Sequence, residues 1–347
     1  MGNEPLRVGQ VGLGWFGGIH AQTWPAVAGA ELVAVCDADP TRLQPNGGGD
    51  AQDSFHVDAG HGQLRLPDSV ARFNDLDDLL GSGIDLLDVV VSEQAHADVV
   101  RRGLLAGVDV IVEKPIALDL ADVRELIDVA RTVGRNLYVG HILRFDVRNA
   151  ALAGMVDAGG LRHMSFQRNF QTAAHQVYGR IHPVFGAAIH DIDLAVWYAG
   201  RRPNAISAFT SSFLGAATPD VLDIVLHWDD GLRAVIQNSW HVAAACPFGF
   251  EFECKVQTAG ATYVLRNEPD LHVWDAAGVR APEMHFWPLS GETRAGAIRA
   301  ELQHYADCSR DGIASPRVPL EQVLWCAEIA DTVITATAGG AEGSVRL

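Results

Sequence analysis

In the first 145 residues, short apolar runs alternate with longer stretches whose apolar residues recur at helical spacing. Residues 84–91, with the sequence IDLLDVVV, are typical of a strand buried on both faces. Strands that alternate with helices in this way form right-handed βαβ units around a parallel sheet. The pattern predicts strands at residues 6–11, 31–36, 84–91, 108–112 and 136–140, and helices at residues 19–27, 75–80, 96–106 and 119–133.

After about residue 145 the pattern changes to strict alternation, as in residues 250–256 (FEFECKV), which predicts strands with one buried and one solvated face. Asp229-Asp230-Gly231 predicts a tight hairpin between two of them. Strands are predicted at residues 162–170, 205–213, 221–228, 232–240 and 250–256, and helices at residues 147–158, 189–199, 295–309 and 320–338. We expect a doubly wound α/β domain over residues 1–145 and an α+β domain with a mostly antiparallel sheet over residues 146–347.

A glycine-rich stretch between residues 40 and 67 stands where the first domain should contain a helix. We interpret residues 46–62 as a surface insertion. His56 and His61, with Asp53 and Asp58 nearby, raise the alternative of a metal site. Because nothing in the pattern fixes the geometry of these side chains, solvated loop residues are favoured and no metal site is predicted.

The run GLGWFG follows the first strand and precedes the first helix, as the glycine turns of dinucleotide-binding folds do. In that pattern Gly12 allows the tight turn, Gly14 lets the backbone approach a pyrophosphate, and Gly17 lets the helix pack close to the strand. Trp15 and Phe16 lie between them and are further candidates for cofactor contact. A plain tight turn is the alternative, but the flanking strand and helix favour a dinucleotide site.

Asp37 ends the second predicted strand, twenty residues after Gly17. A carboxylate at this position accepts hydrogen bonds from the ribose hydroxyls of NAD and repels the 2′-phosphate of NADP. Arg42 follows five residues later and is a cation that can assist NADP. The sequence therefore predicts NAD as the cofactor, with NADP less favoured.

The formal net charge of −17 argues against nucleic acid or an anionic membrane as a partner, because both are polyanions. The five cysteines are scattered and lack C-x-x-C spacing, which fits a reducing compartment better than a disulfide framework or a zinc site. No apolar run reaches the roughly 18 residues of a membrane span, and no signal-peptide pattern opens the sequence. A soluble, cytoplasmic protein is expected.

Residues just after the predicted parallel strands are candidates for chemistry, because ligands of such sheets bind at the carboxyl ends of the strands. Ser92 and His96 follow the third strand, and Glu113-Lys114-Pro115 ends the fourth. Pro115 stops the strand and favours an extended Lys114, which presents the lysine at the strand tip. A lysine beside a nicotinamide can polarise a hydroxyl and stabilise the developing alkoxide, whereas a surface lysine is the alternative.

His190 begins the helix predicted over residues 189–199 and lies outside its apolar stripe. A histidine suits proton abstraction near neutral pH, so His190 is the candidate general base, with a core or surface histidine as the alternative. A capping or structural role is favoured for Asp193. Further candidates for binding a substrate are Arg144, Tyr178, His182 and Asp191.

The stretches GLGWFGGIHA, CDAD, EKPIAL, GHILRFD and IHDIDLAVWYAG occur in the order and spacing of the glucose-fructose oxidoreductase / inositol dehydrogenase (Gfo/Idh/MocA) family, which the chain resembles from end to end. The resemblance implies a Rossmann domain, a C-terminal domain with an open-faced sheet that often mediates oligomerisation, and NAD(P)-dependent chemistry on sugars and polyols. A homodimer or homotetramer is expected on this basis. By position, Lys114 resembles the catalytic lysine and His190 the general base. The resemblance also assigns a cofactor fingerprint and the loops beside the cofactor, namely Gly12, Gly14, Gly17 and Asp37, then His96 and Glu113.

Two positions depart from the family pattern. Val91-Ser92-Glu93 stands where the family usually has Thr-Pro-Asn, and Gly186 stands where it often has an aspartate four residues before the general base. His182, Asp191 or an acid on the substrate can take the role of that aspartate.

We therefore expect an NAD-dependent oxidoreductase that transfers a hydride between the nicotinamide and a hydroxyl of a sugar, inositol or sugar derivative. Lys114 would polarise the reacting oxygen and His190 would be the general base. Two alternatives stay open. One is a catalytically silent protein that senses NAD(H) or a sugar, and the other is an enzyme that recycles its bound NAD without net redox change.

Overall fold

The computed structural model describes residues 4–44, 64–156, 160–244, 246, 250–266, 271–276, 278–338 and 343–346. The insertion expected over residues 46–62 therefore lies outside the described residues. Within them are nine α-helices, numbered α1 to α9: Trp15–Thr23, Leu76–Leu80, His96–Leu105, Leu120–Val133, Val147–Met155, Thr172–Tyr178, Ile189–Ala199, Gly296–Asp311 and Leu320–Thr337.

The same residues form seventeen strands, numbered β1 to β17 in chain order. The first six are Leu6–Val11, Ala30–Cys36, Ala71–Phe73, Leu86–Val89, Asp109–Glu113 and Leu137–Gly140. The rest are Leu161–Gln171, Ala205–Ser211, Val221–His227, Arg233–Val242, Phe250–Thr258, Thr262–Arg266, Val273–Asp275, Gly278–Arg280, Leu289–Ser290, Thr293–Arg294 and Gly343–Arg346.

The chain divides into two compact units, and the first is discontinuous in sequence. Unit 1 holds the described part of residues 1–146 together with Glu283–Leu320, and unit 2 holds that of residues 147–282 and 321–347. We call Glu283–Leu320 the late segment, and specific hydrogen bonds join it to the rest of unit 1. Tyr305 donates its hydroxyl to the carbonyl of Val139 at 2.6 Å, and Tyr138 donates to that of Ile313 at 2.9 Å. The boundary expected after residue 145 stays a prediction.

Unit 1 is built on a parallel sheet with the strand order β3-β2-β1-β4-β5-β6. The order reverses between β1 and β4, and the cleft at that point is where doubly wound sheets bind ligands. The predicted α/β fold is confirmed, but the edge strand β3 was not predicted, because its three residues are partly exposed and form no apolar run. Helix α1 begins at Trp15 rather than at residue 19 and ends at Thr23, and a 3-10 turn at Trp24–Ala26, which contains Pro25, follows it.

One face of the unit 1 sheet carries a row of polar side chains. Gln10 of β1 pairs in register with Asp88 of β4, and Asp88 pairs with Ile111 of β5. Because side chains alternate along a strand, Glu113 lies on the same face as Ile111 and Asp88. His20 of α1 contacts both carboxylates, with Nδ1 3.0 Å from Asp88 Oδ2 and Nε2 3.5 Å from Glu113 Oε1. We call Gln10, His20, Asp88 and Glu113 the polar row.

The carboxylates of Asp88 and Glu113 keep His20 protonated. Burial by itself would lower the pKa of His20, but the carboxylates of Asp88 and Glu113 outweigh this effect and raise it from 6.5 to about 10. Trp24 donates its indole N–H to Asp88 Oδ2 at 2.8 Å, so this carboxylate receives donors from two side chains. His20 is therefore a buried cation at neutral pH.

Unit 2 is built on a mixed sheet with the strand order β12-β11-β7-β10-β9-β8-β17. Within this sheet, β7 and β10 are the only described neighbouring strands that run parallel. The mostly antiparallel sheet expected for the second domain is therefore confirmed. Along β9, buried and half-buried side chains alternate, so one sheet face packs into a core and the other stays partly accessible. The predicted hairpin joins β9 to β10, with Gly231 at a φ of 94°.

The raised pKa of His20 makes stability depend on pH. The folded protein holds the His20 proton more tightly than the unfolded chain, so the stabilisation is complete below pH 6.5 and is lost as the pH rises toward about 10. We expect the free energy of unfolding of the wild type, relative to His20→Asn, to fall in this window by up to about 1.4 kcal/mol per pH unit.

Urea denaturation at a series of pH values measures this difference. His304→Asn is the matched control, because burial lowers the pKa of His304 and so places its titration below the window. A difference in the free energy of unfolding between the wild type and His20→Asn that does not change with pH would contradict a buried cation at position 20.

Candidate active site

The turn between β1 and α1 requires glycine at its first and last positions. Gly12 has a φ of 96°, and a Cβ there would lie 2.2 Å from a backbone carbonyl oxygen just after β4. A Cβ at Gly17 would lie 2.2 Å from the carbonyl oxygen of Gly12. At Gly14, the N-cap of α1, the nearest atom to a Cβ is in the Arg42 guanidinium at 3.8 Å. The turn is therefore tightly packed below and open at Gly14, where a pyrophosphate would approach.

Half-buried aromatic rings surround the N-terminus of α1. The ring centroids of Trp15 and Phe16 lie 5.8 Å and 5.6 Å from that of Trp287, which belongs to the late segment of unit 1. Glu283 fixes this segment, because its Oε2 accepts the backbone N–H of Trp287 at 2.7 Å. The first-turn N–H groups and the positive dipole end of α1 suit an anionic phosphate at this place.

Asp37 is tied to the glycine turn by its own side chain. Its Oδ2 accepts the backbone N–H of Leu13 at 2.7 Å, and its Oδ1 accepts that of Asp39 at 2.8 Å. Each carboxylate oxygen has further lone-pair capacity, so both can still accept a ribose hydroxyl. Nη1 of Arg42 lies 3.7 Å from Asp37 Oδ2. The cation that could attract the 2′-phosphate of NADP is therefore paired with the carboxylate that repels this phosphate.

His96 links the loops that follow β4 and β5. The ring is buried, with Nδ1 2.7 Å from the carbonyl oxygen of Pro115 and Nε2 3.2 Å from that of Val91. Burial lowers the pKa of His96, so the ring is neutral at physiological pH and donates to one of these two carbonyl oxygens. Ser92 is exposed beside it. His96 thereby anchors the backbone next to the lysine candidate.

Lys114 is half-buried and directly follows β5. Its backbone N–H donates to Oε2 of Glu113 at 3.2 Å, while Oε1 of Glu113 faces His20. Gly140 of β6 pairs with Glu113, and a Cβ at Gly140 would come within 2.4 Å of Oε1, so the absent side chain makes room for the carboxylate. The backbone around Lys114 is therefore held by Glu113 on one side and by His96 on the other.

Arg144 ends a short 3-10 turn after β6 and is fully buried in unit 1. Its Nη1 donates to the carbonyl oxygen of Arg317 at 2.8 Å. The guanidinium thus anchors the late segment to the end of the parallel sheet. Substrate binding by Arg144 stays a prediction.

In unit 2, His190 lies half-buried in the first turn of α7. The neighbouring Asp191 is fully buried, and its two oxygens accept from Nε and Nη2 of Arg168 at 3.0 Å and 2.8 Å. The guanidinium of Arg168 in turn lies 4.5 Å from the ring centroid of Phe252. This bidentate pair anchors the start of α7 to β7 and so orients the turn that carries His190. Substrate binding by Asp191 stays a prediction.

The segment before α7 carries two more positions of interest. Burial lowers the pKa of His182 to about 4, so its ring is neutral at physiological pH, and Nδ1 accepts a backbone N–H two residues later at 3.2 Å. Gly186 lies in a π-helical turn at Val184–Ala188, and a Cβ there would lie 3.9 Å from two side-chain carbons of Ile181. The side chain of Tyr178 lies outside the described residues.

Sequence reasoning missed several residues that the structure places beside the turn and the lysine. Gln10, His20 and Asp88 are polar residues inside otherwise apolar stretches, and such residues are usually buried with a specific partner. Gln10 shows this, because its amide donates to the carbonyls of Gly12 and Gly17 at 2.9 Å and 2.8 Å. Trp287, which belongs to residues 283–320, was also missed, and its position carries no comparable signal.

Neither a metal cluster nor a membrane helix is found in the part of the chain that the structure describes. No three His, Cys, Asp or Glu side chains there are grouped to hold a metal ion, and no helix there is long and apolar enough to cross a membrane. The histidines considered as metal ligands, His56 and His61, lie outside that part.

Known proteins resemble this chain over most of its length. An inositol 2-dehydrogenase of Salmonella paratyphi B is 26% identical over 258 residues, which are 72% of this chain and 71% of the relative. A D-apiose dehydrogenase of Paraburkholderia graminis is 25% identical over 315 residues, or 87% of this chain and 80% of the relative.

Solved structures share the fold. A myo-inositol 2-dehydrogenase from Lactobacillus plantarum superposes with a TM-score of 0.80 at 21% identity, covering 99% of this chain and 100% of that one. A scyllo-inositol dehydrogenase from Lactobacillus casei, solved with NAD(H) and scyllo-inositol, gives a TM-score of 0.78 at 20% identity over 99% of both chains.

Two regions of the sequence match the two domains of one family. Residues 6–141 match an oxidoreductase family with an NAD-binding Rossmann fold, and residues 163–259 match the GFO/IDH/MocA C-terminal domain. The first region contains the glycine turn, Asp37 and Lys114, and the second contains His190. The chain belongs to the Gfo/Idh/MocA family of NAD-binding oxidoreductases.

Proposed function

We propose that this protein is an NAD-dependent dehydrogenase of an inositol or a related sugar or polyol. The observation that carries the proposal is Lys114, placed at the carboxyl end of β5 with its backbone held by Glu113 and His96. That position adjoins the point where strand order reverses and where folds of this kind bind a dinucleotide. The substrate class follows from relatives named inositol and apiose dehydrogenases.

The choice of residue at position 114 supports a chemical role. The chain has 26 basic residues of the Lys and Arg types, of which only Lys114 and Lys255 are lysines, so the other 24 are arginines. Where this chain needs a cation it almost always uses arginine. A compact ammonium with rotatable donors suits a reacting oxygen better than the planar fork of a guanidinium.

The residues present fit NAD. Gly14 leaves the approach to the N-terminus of α1 open, and Asp37 offers two oxygens to the adenosine ribose. Bound NAD supplies the hydride acceptor. The first turn of α1 is then available to the pyrophosphate, and the Lys114 turn lies at the same carboxyl edge of the sheet.

In the proposed reaction, His190 takes the proton of the substrate hydroxyl while Lys114 donates a hydrogen bond to the oxygen. The hydride leaves the carbon of the same CH–OH group, so an alcohol becomes a carbonyl and one proton remains on His190. Arg168 and Asp191 hold the first turn of α7 and so keep the imidazole of His190 in place. The same groups acting in reverse reduce a carbonyl.

A second function, sensing of NAD(H) or a sugar without catalysis, is favoured by Gly186. The two residues considered as replacements for the family aspartate supply no free carboxylate. His182 is neutral, with a pKa lowered to about 4 by burial, and Asp191 is paired with Arg168. An acid on the substrate is the remaining source of negative charge there, and it is a reason to include sugar acids among the compounds tested.

Self-association into a homodimer or homotetramer is part of the proposal. The partly accessible face of the unit 2 sheet, seen in the alternating burial of β9, is the surface proposed for it. Light scattering coupled to gel filtration measures the mass in solution. A cytoplasmic location stays a prediction.

Replacing Lys114 should abolish turnover. We expect NADH production, followed by its near-ultraviolet absorbance over a panel of inositols, aldoses and sugar acids, to fall at least about 100-fold in Lys114→Ala. Lys114→Arg should fall similarly, because a guanidinium keeps the charge but not the geometry. The other lysine is the matched control, and Lys255→Ala should stay within about 2-fold of the wild type.

His190→Asn should lower turnover to a similar degree as Lys114→Ala without weakening NAD binding. Tight NAD binding with no turnover on any panel member would favour the sensor. Product formation without net NADH would favour an enzyme that recycles its cofactor.

Replacing Asp37 should relax the preference for NAD. Loss of hydrogen bonds to a charged acceptor predicts a dissociation constant for NADH raised about 10- to 100-fold in Asp37→Ser, with NADPH binding improved because the carboxylate that repels a 2′-phosphate is removed. Titration of intrinsic fluorescence with each nucleotide measures both constants. Asp128→Ser, on the exposed side of α4, is the control, and an unchanged preference in Asp37→Ser would remove Asp37 from the cofactor site.

A further inference from the structure

One buried cation of unit 1 has no part in the reaction described above. His20 lies in α1, the helix whose N-terminus faces the cofactor site, and its ring points to the sheet beneath. We propose that His20 is a positioning residue for Lys114, because as an imidazolium between Asp88 and Glu113 it locks the Glu113 carboxylate against the Lys114 backbone. The proposal rests on the proposed function, in which Lys114 acts on the substrate oxygen.

The contacts form a continuous chain from the helix to the lysine. Asp88 Oδ2 lies 3.0 Å from His20 Nδ1, and His20 Nε2 lies 3.5 Å from Glu113 Oε1. The other oxygen of Glu113 accepts the backbone N–H of Lys114 at 3.2 Å. A shift of His20 would therefore release one end of the carboxylate whose other end fixes the lysine turn.

The arrangement requires a charged ring. A neutral imidazole has one N–H and would turn a bare nitrogen toward one of the two carboxylates, whereas an imidazolium presents an N–H to each of them. The charged groups that face the ring are Asp88 from β4 and Glu113 from β5, and their carboxylates raise the pKa of His20 to about 10 despite its burial. The ring centroid of Phe16 lies 5.0 Å from that of His20, and Trp24 donates its indole N–H to Asp88.

The sheet is built to admit this contact. Register places Asp88 and Glu113 on the same face, two residues apart along neighbouring strands. Gly140 removes the side chain that would otherwise occupy the place of Glu113 Oε1. The His20 ring is 1% exposed and the Asp88 side chain 0%, so water does not compensate for a lost partner.

The charge state of His20 is measured directly by NMR of the full-length protein with nitrogen-labelled histidine. At about pH 8 we expect both ring nitrogens of His20 to carry protons, with its signals identified by their loss in His20→Asn. His304, whose pKa is lowered by burial, provides the neutral reference in the same spectrum. One protonated and one bare nitrogen on His20 at that pH would overturn the proposal.

A double-mutant cycle measures the coupling to Glu113. His20→Asn keeps a donor near Asp88 and removes the one toward Glu113, while Glu113→Gln removes the charge that His20 meets. Each single change should lower kcat about 10-fold or more while changing the NAD dissociation constant less than about 3-fold, and the double variant should be no worse than the worse single. Effects that multiply in the double variant would show independent roles and overturn the proposal.

The outcomes separate this inference from the function on which it rests. Undiminished turnover in Lys114→Ala would remove the proposed role of the lysine, whatever His20 does. Loss of turnover in Lys114→Ala together with full turnover in His20→Asn would leave the proposed function standing and overturn the inference alone. His304→Asn is the control for the loss of a histidine elsewhere in unit 1, and it should stay within about 2-fold of the wild type.

Discussion

The close packing of α1 on the carboxyl ends of β1, β4 and β5 is the constraint on which the rest of unit 1 depends. At Gly17 even a methyl group would meet the carbonyl oxygen of Gly12 at 2.2 Å, so the helix and the turn that follows β1 are as near as backbones allow. That approach brings His20 within reach of Asp88 and Glu113. It also presents the N-terminus of the helix at the place proposed for the pyrophosphate. One packing contact thus serves both the cofactor site and the lysine turn.

The two catalytic candidates are supported by different kinds of interaction. Around Lys114 the supports are hydrogen bonds to the backbone, from the side chains of Glu113 and His96, so the peptide itself is fixed. At His190 the support is a buried bidentate ion pair one residue along the helix, between Arg168 and Asp191. Truncating one partner of such a pair leaves a buried charge uncompensated, which makes the pair strongly sensitive to substitution. Both arrangements hold a candidate reactive group through its neighbours in the chain.

Local patterns predicted most of the fold, and they supplied the parts of the candidate site that depend on adjacent residues. The strands of the parallel sheet, the glycine turn, Asp37 and Lys114 all carry short-range signals of period, turn chemistry or strand end. The edge strand β3 escaped prediction because it is short and partly exposed. Contacts that depend on register between strands, such as those of Asp88 and Glu113, have no local signal. The burial of Arg144 and Asp191 also depends on partners far away in the sequence, so the residues around them could not predict it.

The return of residues 283–320 to unit 1 has a consequence for the order in which the chain folds during synthesis. Tyr305, Arg317 and Trp287 contact groups in the first 146 residues, so the parallel sheet lacks part of its packing until the ribosome has passed residue 320. Unit 2 is translated between the two parts and its strands emerge while unit 1 is still open. An N-terminal fragment that ends after β6 would expose the rings of Tyr138 and Trp15 to solvent and to chaperones. The nucleotide-binding unit is thus completed only after most of unit 2 has been synthesised.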